Sequence, residues 1–206
     1  MRKAFGVQGV DIQFQFFPWK RGEHLLNTKQ LDVLIPYTKT PERTAVYAFS
    51  DPIIVIRTHF FYLKSNIKQL NFKSYEELKP YRIGGILGYF YETIFDKAGL
   101  TVEYVAYPKL NIQKLLAGRI DIVPYGNIIG WHLIKNHFPE AYDHFTSTEF
   151  DLPENRQSDE TIACRVMTLK THEKSNQIIE MYNSGLKQIK QNGQYDNIIK
   201  EYGIRQ

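Results

Sequence analysis

Apolar residues alternate from Val10 to Phe17, with Val10, Ile12, Phe14 and Phe16 on one face, and this period of two predicts a β-strand. Pro18 then opens a helix running to about Asn27, since the fixed φ of proline suits the first helical turn. Leu31 to Tyr37 is a short apolar run, hence a buried strand, and Thr40-Pro-Glu-Arg43 reads as an N-cap with a short helical turn after it. Ile53 to Leu63 predicts one long β-branched and aromatic strand, and Ser74-Tyr-Glu-Glu77 is a capping box opening a brief helix. Strand and helix then alternate: a strand over Arg82 to Leu87, a helix over Phe90 to Ala98 stopped by Gly99, and a strand over Thr101 to Tyr107. A helix over Leu110 to Ala117, a strand over Ile120 to Tyr125 and a helix over Ile128 to His137 follow. A strand from Thr161 to Thr168 and two helices, about Lys174 to Gln191 and Tyr195 to Tyr202, finish the chain.

Alternation of this kind predicts right-handed parallel crossovers and an α/β fold. The pattern also occurs twice. Phe5 matches Phe95, Gly9 matches Gly99, Pro18 matches Pro108, and Leu25-Leu26 match Leu115-Leu116, each at an offset of 90 (95 − 5). Leu31-Asp32 with Pro36-Tyr37 then matches Ile120-Asp121 with Pro124-Tyr125, the offset slipping by one and two residues. Two similar α/β lobes are expected: residues 1–57 and 169–206 as lobe I, and 58–168, including hinge strands, as lobe II. Ile53 to Leu63 and Thr161 to Thr168 are the expected crossings, and the final helices are expected on lobe I. Ligands of open α/β sheets bind beyond the strand C-termini, which here predicts a crevice shared by the lobes. At the same offset Met1 corresponds to Tyr91, so lobe I has no counterpart of the strand Arg82 to Leu87. The expectation is that the N-terminal strand of lobe I and much of the helix after it lie outside this chain.

The 206 residues are 43% hydrophobic and 23% charged, which suits packed cores and argues against disorder. The net charge of +4 is scattered, and even Lys187 to Lys200 is interrupted by Asn, Gly, Gln and Asp, so nucleic acid is not an expected partner. One cysteine, Cys164, excludes an internal disulfide and falls in an apolar run, where a buried thiol is expected. No stretch reaches the roughly 18 apolar residues that a membrane helix needs. Met1 to Val10 lacks the apolar core of a signal peptide.

The loop Tyr37-Thr-Lys-Thr-Pro-Glu-Arg43 carries the clearest chemistry. Thr38 offers a hydroxyl and Arg43 a planar fork that matches a carboxylate, although Arg43 could equally pair with Glu42 or Asp51 at the surface. Gly84-Gly-Ile-Leu-Gly-Tyr-Phe-Tyr-Glu92 runs from strand into helix. Its glycines suit either close approach of a ligand or tight packing, and their spacing is neither a dinucleotide nor a Walker fingerprint. Trp19, Tyr37, Tyr89, Phe90, Tyr91 and Tyr125 are candidates for stacking on a ligand and equally for the core. Asp32 and Asp121 are expected in structural turns. The six histidines are dispersed, and no metal or other cofactor is expected. No Ser or Cys sits in a nucleophile elbow.

Several segments together resemble family 3 of the bacterial extracellular solute-binding proteins, the polar-amino-acid ABC-transporter type. They are Phe17-Pro-Trp-Lys-Arg21, Leu31-Asp32, Thr40-Pro-Glu-Arg43, Phe49-Ser-Asp-Pro52, Gly84 to Tyr91, Leu115-Leu-Ala-Gly-Arg-Ile-Asp121 and Asn192 to Gly203. The resemblance implies a type II periplasmic-binding-protein fold, a periplasmic location, a monomeric state, and delivery of a small carboxylate-bearing ligand to an ABC permease without catalysis. It gives the ligand α-carboxylate to Arg43 with help from Thr38, and ligand contacts to Gly88, Tyr89, Phe90 and Tyr91. It places the strand missing from lobe I between Val10–Phe17 and Leu31–Tyr37. Where the family usually carries an acid for the ligand amino group, this chain has Tyr125-Gly-Asn127, so either Asn127 contributes or the ligand is not a standard α-amino acid. Periplasmic cyclohexadienyl and arogenate dehydratases, and receptor sensor domains, resemble the same fold and imply the rival functions.

Overall fold

The computed structural model describes residues 1–150 and 162–201. The chain divides into two compact units: residues 1–17, 21–55 and 162–201 form unit 1, and residues 18–20 and 56–150 form unit 2. Thr161 and Tyr202, the ends of two expected elements, lie outside the described residues.

Unit 1 contains α1 (Arg2–Gly6), most of α2 (Trp19–Asn27), β1 (Leu34–Tyr37), α3 (Pro41–Val46), β2 (Tyr47–Phe49) and β3 (Ile54–Val55). Unit 2 contains β4 (Thr58–Leu63), β5 (Ile83–Ile86), α4 (Glu92–Lys97), β6 (Val102–Val105), α5 (Pro108–Leu116), β7 (Val123–Gly126), α6 (Asn127–His137) and β8 (Phe145–Glu149). The chain then re-enters unit 1 with β9 (Ala163–Leu169), α7 (Ser175–Gln191) and α8 (Gln194–Glu201).

In unit 2, β4 is antiparallel to both β7 and β8, β5 is parallel to β6, and a parallel bridge between Ile83 and Ile122 brings β5 beside the approach to β7. Because side chains alternate across a strand, β4 covers both faces of its sheet. Phe60 and Tyr62 enter a cluster with Leu78, Tyr91 and Phe95, while Phe61 and Leu63 enter another with Ile86, Ile112 and Val123. In unit 1, β9 is antiparallel to β1, β2 and β3. Tyr182, Leu186 and Ile189, spaced on one face of α7, pack with Ala4, Phe5 and Val166.

The internal repeat is visible in the backbone. The helices α1 and α4 end alike: Val10 N donates to Phe5 O and Leu100 N to Phe95 O, with Gly9 at φ 75° and Gly99 at φ 67°. Beyond α2 and α5, Lys29 (φ 57°) and Gly118 (φ 65°) hold the same left-handed turn. The order β1-β9-β2 in unit 1 reproduces β7-β4-β8 in unit 2.

Three expectations are corrected, and one strand is added. Val10 to Phe17 is not a strand; Val10 and Ile12 lean on the unit 1 core, while Phe16 is 93% exposed. Its repeat partner β6 is a strand because β5 lies alongside, and among the described residues nothing fills the β5 place in unit 1. A strand without a ladder partner leaves its N–H and C=O groups unpaired, so the segment stays irregular. Ile53 to Leu63 is not one strand but two, β3 pairing in unit 1 and β4 in unit 2. The strand β9 lies in the sheet of unit 1, whereas the sequence pattern assigned 161–168 to the second lobe with the rest of 58–168. The strand β8 and the 3-10 segment Pro139–His144 before it escaped the pattern, because Phe145-Thr-Ser-Thr-Glu149 has a single large apolar residue.

Cys164 is buried on β9, and burial pushes its thiol up to about 11. At pH 8 a thiol reagent is therefore expected to label the native protein ~100-fold more slowly than the urea-unfolded chain. Equal rates would place the thiol at the surface.

Candidate functional site

In unit 1 the candidate anion seat is built on the loop from β1 into α3. The Thr40 hydroxyl caps α3 by accepting from Arg43 N (3.2 Å), which fixes Arg43 on the first helical turn. The guanidinium is held on three sides. Its face lies 4.8 Å from the centre of the Tyr37 ring, Nη1 donates to the Thr38 carbonyl (3.4 Å), and Nη2 donates to Glu23 Oε1 (3.1 Å). The Arg43 and Glu23 side chains are 12% and 20% exposed, so the ion pair is largely withdrawn from water. Tyr37 is buried; burial raises its phenol pKa, and the Glu23 charge raises it further. Arg43, the Thr38 carbonyl and Tyr37 are thus brought together.

Glu23 was not among the residues the sequence singled out. The available signal is its position on α2. Gly22, Leu25 and Leu26 are buried, so a charge at 23 flanks the buried face of the helix and needs a partner nearby.

In unit 2 the loop after β5 turns at Gly88, whose φ of 79° favours glycine. Gly88 N donates to Glu92 Oε2 (2.7 Å), and the same oxygen meets Lys20 Nζ (3.1 Å). A carboxylate of the chain therefore takes the Gly88 backbone amide. Tyr89 meets Trp19 edge-on at 5.1 Å and Tyr91 at 5.1 Å, with Phe90 beside them. Tyr89, Phe90 and Trp19 are partly exposed, as is Asn127 at the start of α6.

Two candidates are corrected. Tyr91 is fully buried; its hydroxyl accepts from Ile86 N (3.1 Å) and faces the Pro124 carbonyl (3.4 Å). Tyr125 is buried as well and donates to the Pro108 carbonyl (2.7 Å). Both rings pack the core of unit 2 and offer no face for stacking. Gly84 and Gly85 are packing glycines: an added Cβ would lie 2.5 Å from Ile120 Cδ1 at the first and 2.7 Å from the Tyr104 ring at the second. Asp121 accepts from Arg82 N, Nε and Nη2, and these bonds hold its carboxyl below the usual range; Asp32 faces His172 (3.1 Å). Both hold turns. Among the described residues, no group of three or more His, Cys, Asp or Glu could hold a metal ion, and no helix is long and apolar enough to cross a membrane.

Two α/β units, each with a sheet and helices of its own, and a chain that leaves the first and returns to it, define a type II periplasmic-binding-protein fold. The profile of the bacterial extracellular solute-binding proteins, family 3, matches residues 1–205, and the chain belongs to that family. No curated protein matches the chain in sequence. Similar solved structures include an amino acid ABC transporter substrate-binding protein from Streptococcus pneumoniae bound to L-arginine (TM-score 0.78, 18% identity, 98% of this chain and 80% of that one). An ancestral amino-acid-binding protein described as a precursor of cyclohexadienyl dehydratase is also similar (0.75, 20% identity, 98% and 81%). So is a histidine kinase sensor domain with similarity to periplasmic binding proteins (0.79, 15% identity, 98% and 82%).

Proposed function

We propose that this protein captures a small carboxylate-bearing ligand, an amino acid or close relative, and passes it unchanged to a membrane ABC permease, acting as a monomer in the periplasm. The observation that carries the reading is Arg43, fixed by the α3 cap, stacked on Tyr37 and positioned beside Thr38. A planar fork on a rigid turn recognises a carboxylate at little entropic cost. Family membership supports uptake as the purpose, and the amino acids bound by similar structures support the ligand class.

The test is a thermal-shift panel of amino acids and simple carboxylates. A ligand at a hundred times its Kd stabilises by about 2.7 kcal/mol, which in a chain of this length raises Tm by about 5–10 °C. At least one amino acid is expected to do so. A panel without a shift contradicts the reading.

A second reading, a dehydratase, draws on Glu23, a carboxylate beside the anion-binding arginine that would serve as its acid. Incubation with arogenate separates the two: unchanged arogenate supports capture, and loss of water and carbon dioxide from it supports the enzyme.

A further inference from the structure

Unit 1 holds an open strand place, and the internal repeat shows what fits it. In unit 2, β5 lies between β6 and the approach to β7, parallel to both. Gly84 N donates to the Ile122 carbonyl, and Asp121 N donates to the Arg82 carbonyl. The unit 1 counterparts are Val10 to Phe17 on one side, and Asp32 and Val33, leading into β1, on the other. The strand β1 is the edge of its sheet, and among the described residues no strand lies along its outer side. Apolar side chains on both walls are uncovered. Leu31 and Val33 are partly exposed where their counterparts Ile120 and Ile122 are fully buried, and Phe14 is 40% exposed. An open backbone edge lined by exposed apolar side chains takes up an extended peptide by strand addition.

The filled place in unit 2 fixes the chemistry of that peptide. Its two central residues must be small. A Cβ at Gly84 would lie 2.5 Å from Ile120 Cδ1, and one at Gly85 would lie 2.7 Å from the Tyr104 ring and from Val102 Cγ1. Leu31, Phe14 and Ile12 stand at those places in unit 1, so bulk there meets the same obstacle. Its first residue must be basic. Arg82 donates to Asp121 through Nε (3.0 Å) and Nη2 (2.6 Å). The counterpart Asp32 is 73% exposed, and its contact with His172 Nε2 (3.1 Å) uses one oxygen, which leaves the other for a guanidinium.

We propose that unit 1 binds, between Val10–Phe17 and β1, an extended segment of another polypeptide with the pattern basic, apolar, small, small, apolar, added as a parallel strand. A second copy of this chain is a poor donor, because its own strand of this pattern, β5, is already bonded to β6 and Ile122.

The probe is an end-blocked, fluorescently labelled peptide with the sequence of residues 82–87, Arg-Ile-Gly-Gly-Ile-Leu, titrated into the 206-residue chain. Anisotropy is expected to show saturable one-to-one binding, at least ~10-fold tighter than for the same peptide with valine at both glycine positions. The parent is expected to prefer this peptide to one headed by glutamate. Asp32→Lys, shown by circular dichroism to be folded, is expected to reverse that order by ~3-fold or more. Hydrogen exchange at the Asp32 and Val33 amides is expected to slow in the complex. No saturable binding, equal binding of the glycine and valine peptides, or an unchanged order in folded Asp32→Lys overturns the proposal. A peptide-free dimer that excess peptide leaves intact also overturns it, since a second copy would then hold the place.

Discussion

Replacing Gly185 with alanine is expected to cost about 2–3 kcal/mol of stability and to lower Tm by about 5–10 °C. Gly185 lies in the middle of α7, where α1 crosses it. A Cβ there would overlap the Ala4 carbonyl oxygen and lie 2.7 Å from the carbonyl carbon. The obstacle is backbone, which no rotamer change relieves, so α1 must move off α7. Ala4 and Phe5, both buried, would then leave the unit 1 core together with the contact between the Phe5 and Tyr182 rings at 5.2 Å. Gly6→Ala is the control. Gly6 also lies in α1, nothing would stand within 4 Å of its added Cβ, and the change should be neutral or slightly stabilising. Thermal and urea unfolding of the two variants decides the point. A Gly185→Ala protein as stable as Gly6→Ala would mean that α1 does not pack on α7.

What could be read from the sequence follows the strength of each local signal. The repeat was legible because its markers are residues with physical duties: Gly9 and Gly99 end helices in the left-handed region, and Pro18 and Pro108 open helices. Apart from α1, which the sequence reading did not include, the helices were legible to within a few residues, since α2 and α7 carry clear apolar faces. Strand pairing was not. Val10 to Phe17 has the alternation of a strand, but a strand exists only with a partner, and alternation does not reveal whether one is present. The break in Ile53 to Leu63 was hidden for a related reason: continuous apolar residues fit either one long strand or two short ones that serve different sheets. At the site, the closeness of Arg43 to Thr38 was legible from the loop they share. Glu23 was not, because its meaning depends on a contact across 20 residues. Tyr91 and Tyr125 looked like Tyr89 in composition, and only burial separates the core rings from the partly exposed one.

Arg43→Ala is expected to weaken ligand binding by far more than tenfold. Truncating one partner of a desolvated, hydrogen-bonded charge pair typically costs about 2–5 kcal/mol, or roughly 30-fold to several-thousand-fold in Kd. Here the loss is twofold in origin. The ligand carboxylate loses its fork, and Glu23 is left near the ligand with its compensating cation gone. Arg43→Lys keeps the charge but not the planar pair of donors and should fall between parent and alanine. Folding is checked separately, because Arg43→Ala also leaves the mostly buried Glu23 carboxylate without the guanidinium, which destabilises the free protein.

The most direct measurement is a calorimetric titration of the tightest-binding amino acid of the panel into the parent and Arg43→Ala proteins, side by side, after circular dichroism shows both to be folded. The account predicts a saturable isotherm for the parent and one shifted by at least about 30-fold, or flat, for Arg43→Ala. Superimposable isotherms would contradict it, and would show that the carboxylate seat is not built on Arg43.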